Sequence, residues 1–89
     1  MELDYVFVEF EANESQTDIP KVKRNVDSLC EIFGFRLAVV RTSRTSLYAK
    51  IAYPRYHFFE SDYATVLKLF LLQNDCSYIG SYSALSEFL

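Results

Sequence analysis

The chain has little of what most recognisable chemistry requires. Of 89 residues, only Gly34 and Gly80 are glycine, so no glycine-rich loop can cradle a phosphate. Only Cys30 and Cys76 are cysteine, which excludes a disulfide framework and a four-cysteine metal site. His57 is the sole histidine, set in Tyr56-His57-Phe58-Phe59, where an imidazole packs among rings more readily than it finds the oriented partners of a general base. No apolar run is long enough for a membrane span: the longest, Val66 to Leu72, is interrupted by Lys68. The start, Met1-Glu2-Leu3-Asp4, is acidic where a secretory signal is basic. These absences lead us to expect a cytoplasmic chain with reduced thiols, no cofactor, no metal and no membrane partner.

What is present is apolar and aromatic. Hydrophobic residues make up 51% of the chain, with eight Phe and seven Tyr. At this length a single domain over 1–89 has much surface per residue, so some of those rings are expected on the outside or against a partner. The net charge of −3 rules out a highly charged disordered chain but hides an asymmetry. Residues 1–18 carry six acids and no base, residues 19–56 carry eight bases against Asp27 and Glu31, and residues 57–89 carry four acids and Lys68. Folding either preserves that asymmetry as local potential or interleaves the segments and cancels it.

Hydrophobic periodicity organises the chain. Leu3 to Glu11 alternates, with Val6, Val8 and Phe10 on one face and Tyr5, Phe7, Glu9 and Glu11 on the other, which reads as a strand. Asp18 before Ile19-Pro20 signals a capped helix start. Ile19, Val22, Val26, Leu29, Cys30 and Phe33 then recur at helical spacing up to Gly34. Strands follow at Phe35 to Arg41 and Leu47 to Tyr53, joined by the polar loop 42–46 and ended by Pro54. Tyr56 to Glu60 fits either a strand extension or a bridge. Ser61 or Asp62 caps a second helix to about Gln73, with Tyr63, Val66, Leu67, Phe70 and Leu71 in its stripe and Leu69 and Leu72 off it. Asn74-Asp75 ends it. Cys76 to Tyr82 reads as a fourth strand with Ile79 inward and Tyr78 and Tyr82 outward, and Ser83 to Leu89 as a short turn or helix.

The order β-α-β-β-α-β implies an α+β, ferredoxin-like fold: a four-stranded antiparallel sheet with both helices on one face. In size and element order the chain resembles the small CRISPR adaptation subunit, a compact dimer of this fold. That family carries an aspartate at the end of its first strand, whereas this chain has Phe10-Glu11-Ala12-Asn13 there, and no activity carries over.

Two surfaces are candidates for function. The open sheet face is expected to display Tyr5, Phe7, Tyr48, Tyr78 and Tyr82, as a dimer interface or, in second place, a base-stacking platform that Glu9 and Glu11 would oppose. Leu69 and Leu72 add apolar area on the second helix. The basic hairpin, with Arg41 and Arg44 among Thr42, Ser43, Thr45 and Ser46, could grip phosphates together with Lys21, Lys23 and Arg24 at the first helix start. Charged hairpin tips more often simply meet solvent. The favoured expectation is therefore a non-enzymatic interaction domain, an adaptor, regulator or inhibitor acting as a homodimer. The alternatives are a nucleic-acid-binding domain and, more weakly, a metal-dependent nuclease using Glu9 or Glu11. A viral accessory protein would fit such a chain.

Overall fold

The computed structural model describes residues 4–55 and 60–85, without the side chains of 60, 61 and 85. His57 and the Tyr56 to Phe59 segment lie outside the described residues, as do 86–89. Six elements follow in the order β1 (Asp4–Asn13), α1 (Ile19–Phe33), β2 (Arg36–Thr42), β3 (Ser46–Pro54), α2 (Glu60–Gln73) and β4 (Ser77–Leu85). The strands form one sheet ordered β2-β3-β1-β4, with every neighbouring pair antiparallel.

Both helices bury their apolar stripes in one core against one side of the sheet. That core joins Val8, Phe10 and Ala12 of β1 and Leu47, Ala49 and Ile51 of β3 to Val22, Val26 and Leu29 of α1 and Leu67, Phe70 and Leu71 of α2. The period-two alternation of β1 and β3 thus meets the helical period of α1 and α2 on the same side. At one end of this core Phe35 packs edge-on to Tyr63 at 5.2 Å and stacks on Phe33 at 5.6 Å, while Tyr53 meets Tyr63 at 5.5 Å. Such ring pairs stabilise beyond their buried area.

The helix ends are set by local chemistry. Asp18 accepts a hydrogen bond from the Lys21 amide at 3.2 Å, with Pro20 in the first turn and Gly34 left-handed at φ 70°. α2 starts at Glu60, so Ser61 and Asp62 lie in its first turn instead of capping it. Its far end closes with Asp75 at φ 53° and the Cys76 amide donating to the Leu71 carbonyl at 2.9 Å, the two-residue wrap of a Schellman motif. Asn25 Nδ2 donates to Asn74 Oδ1 at 2.8 Å and fastens that end to α1.

β4 departs most from its expected reading. It runs on to Leu85, so Ser83, Ala84 and Leu85 are strand, not turn or helix. Its register against β1 shifts between Glu9 and Phe10: Glu9 pairs with Gly80, but Phe10 pairs with Tyr78. Ile79 is the extra residue of a β-bulge. The bulge reverses the parity of everything before it. Tyr78 is carried to the helix side of the sheet, and Ile79, expected inward, is 46% exposed.

Leu47 is 1% exposed and sits in the shared core. We expect Leu47→Ala to lower the unfolding free energy by about 2–5 kcal/mol. Leu69→Ala, on the exposed side of α2, should change it by no more than about 0.5 kcal/mol. Urea unfolding followed by circular dichroism measures both.

Candidate functional site

Strand pairing brings acids and bases from the segregated segments together in part. β1, which carries acids, lies beside β3 of the basic segment, so Glu9 faces Lys50 directly. Lys50 Nζ stands 3.9 Å from Glu9 Oε1, and Arg55 reaches Asp4 at 3.3 Å. Within α1, Lys23 is held by Asp27 at 2.7 Å. Of the basic residues expected to grip phosphates, Lys23 is thus paired. Arg41 lies over the Tyr48 ring at 5.6 Å. Arg44, Lys21 and Arg24 are exposed. The Glu14 amide bonds the Thr45 carbonyl, which brings the acidic loop after β1 against the hairpin tip. Around this end the charges are mixed, and no continuous basic track forms.

The open sheet face differs from the expected array of displayed rings. Tyr5 and Phe7 are buried at 4% and 7% exposure. They form a second small core with Ala52, flanked by Ala38 and Ala84. The alanines leave room for rings to lie against the sheet, and Tyr82 stacks on Phe7 at 5.1 Å and 14°. Beside them runs a chain of polar contacts. Tyr48 donates its hydroxyl to Glu9 Oε1 at 2.6 Å, and Lys50 donates to the Tyr82 hydroxyl at 2.9 Å. The bond to Glu9 raises the Tyr48 pKa above its usual value, and the bond to Tyr82 raises that of Lys50, so both stay protonated at neutral pH. A charged Lys50 is a poor nucleophile, and Glu9 is already committed to two partners. Sequence reading missed this network because its members meet only through cross-strand register.

Among the described residues no group of three or more acids, histidines or cysteines is placed to hold a metal ion. Glu9 and Glu11 therefore gain no third ligand from the fold.

A concavity lies on the helix side, between α2 and β4. α2 packs toward β3, and the residues that β4 turns to this side after the bulge, Ser81 and Ser83, offer a helix little apolar area. The result is a groove of about 570 Å³. Val6, Val8 and Tyr53 form its floor, Leu67, Leu71 and Leu72 its helical wall, and Tyr78 and Ser81 the opposite rim. Among the described residues Lys68 is its one charged lining residue. Leu72 and Tyr78, which both line it, are 76% and 57% exposed, and the Tyr78 hydroxyl is tied to Ser81 Oγ at 2.8 Å. Leu69, one turn before Leu72, extends the apolar surface along α2. The sequence showed Leu69 and Leu72 off the core stripe, whereas the bulge that turns Tyr78 to this side had only Gly80, a glycine inside the strand, as its signal.

Cys76 also lines the groove, and burial pushes its thiol up to about 11, with Asp75 adding to the effect. An acid whose folded pKa is raised gains no stability difference at neutral pH. It destabilises the fold as pH rises from the ordinary value of 9.0 toward 11, where only the unfolded thiol ionises. Stability should fall more steeply across that window in the parent than in Cys76→Ala, by urea unfolding at a series of pH values. Alkylation of folded Cys76 near pH 8 should be correspondingly slow. No protein-family model matches the chain, and no curated protein matches it.

Proposed function

We propose that this chain is a protein-docking domain, an adaptor, regulator or inhibitor that works by contact and has no reaction of its own. The observation that carries the reading is the groove between α2 and β4, with Leu72 and Tyr78 exposed on its two sides. Contiguous apolar surface rimmed by a few polar groups marks contact sites, and aromatic residues are enriched there. Among the described residues the groove's polar lining is Lys68, the Cys76 thiol and the Tyr53, Tyr78 and Ser81 hydroxyls, a set that holds no carboxylate or imidazole to serve as a base. The strand order, read from the other edge as β4-β1-β3-β2, supports assigning the domain to the ferredoxin-like arrangement.

Nucleic-acid binding is the weaker reading. Arg41 and Arg44 are exposed, but Glu9, Glu11 and Glu14 share their end of the sheet, and Phe7 and Tyr5 are not available for stacking.

Affinity capture from native lysate, with and without nuclease, tests the two readings together. Docking predicts that captured protein survives nuclease and is lost with Leu72→Glu, a weakening of roughly 30-fold for a contact worth about 2 kcal/mol. Capture that disappears with nuclease and is indifferent to Leu72→Glu would contradict it.

A further inference from the structure

We infer that the outer edge of β4 is the seam of a symmetric dimer, in which two copies of this chain pair β4 with β4 antiparallel and extend the sheet from four strands to eight. The inference rests on the docking reading, since it takes the α2/β4 side as a contact surface, and it names the occupant as a second copy.

Charge carries the argument. β4 ends the sheet, and among the described residues it pairs on one side only, with β1. Exposed edge strands in monomers are normally blunted by charges, because bare backbone groups invite another strand. From Cys76 to Leu85 this chain has no charged residue, although Lys, Arg, Asp and Glu make up 24% of it. Every other strand has at least one charge, and the opposite edge, β2, carries Arg36 and Arg41. Symmetric pairing at β2 would bring four guanidinium groups into one seam. Pairing at β4 brings two copies of net charge −3 together along the one strand where no like charges oppose.

Geometry narrows the register. The bulge at Ile79 interrupts the regular course of the strand, leaving Gly80 to Leu85 as the uninterrupted edge. A two-fold axis normal to the sheet keeps the helices of both copies on one side, so residues of like parity must face each other. The two central positions of that edge are Tyr82 and Ser83, and we place the axis at Tyr82, where ring meets ring. Each Tyr82 then meets its copy on the open face, and each Ser81 faces Ser83 of the second copy. Strand pairing alone falls short of the roughly 1,000 Å² of a stable interface. Leu72 and Tyr78, on the groove beside the seam, supply the additional apolar area.

Gel filtration with light scattering on the full chain, at high micromolar concentration, is the test. The parent should have twice the 10.4 kDa chain mass. Ser83→Glu, at an exposed position, should have the single-chain mass with an unchanged circular dichroism spectrum. Arg41→Glu, at the opposite edge, should keep the doubled mass. A monomeric parent, or a folded Ser83→Glu that stays dimeric, overturns the inference. Should Ser83→Glu fail to fold, Tyr82→Cys decides: mild oxidation should give a covalent dimer that the parent does not, because on-axis Cα atoms fall within disulfide range. No crosslink would overturn the inference. A monomeric parent whose lysate capture is nonetheless lost with Leu72→Glu removes the dimer and leaves the docking reading standing.

Discussion

The pairing of β1 with β3 on one side and β4 on the other is the contact from which the remaining features follow. β1 is central, so both of its edges are paired. Its even residues, from Val8 to Ala12, enter the core beneath the helices, and its odd residues Tyr5 and Phe7 build a smaller one behind. The same pairing sets Glu9 opposite Lys50 and so offsets in part a charge segregation that looks pronounced along the chain. Moving β1 by one residue would reverse all of this at once. It would expose Phe10, which has no exposed surface, and bury Glu9 without Lys50 or Tyr48 to satisfy it.

The bulge at Ile79 is the second controlling feature, and it decides which side of the sheet each β4 tyrosine occupies. By inserting one residue it sends Tyr78 to the helix side while Tyr82 stays on the open side. Two tyrosines that alternation would have placed together instead serve different surfaces. One stacks on Phe7 and accepts from Lys50, and the other lines the groove together with Leu72. Because Ser81 and Ser83 give α2 little to pack against, the helix stays over β3 and, among the described residues, a groove separates it from β4.

Much of this was legible in the sequence, for identifiable reasons. α1 carries a cap, an early proline, a clean stripe and a terminal glycine, all local signals that agree, and its boundaries follow. The inward sets of β1 and β3 followed from alternation, and Leu69 and Leu72 were visible as residues that the α2 stripe does not use. What could not be read was register. Gly80 hints at an irregularity in β4, but nothing local says that the neighbouring Ile79 is the extra residue. The burial of Tyr5 and Phe7 depends on alanines at 38, 52 and 84 that come from three different strands. The Glu9–Tyr48 bond likewise spans 39 positions. Alternation assigns a residue to a face, but whether that face is covered depends on which neighbours the topology brings alongside.

The central claim is that the β4 side of the molecule, uncharged along its strand and apolar across to α2, is where the protein meets its partner. Amide hydrogen exchange measured across a range of protein concentrations tests it most directly. In a free edge strand about every second amide points to solvent and exchanges readily. The account predicts that the outward amides of Gly80 to Ala84 become protected as concentration rises, while those of β2 at the opposite edge do not change. Outward β4 amides that exchange at one rate at every concentration, or protection that grows at β2 instead, would contradict it.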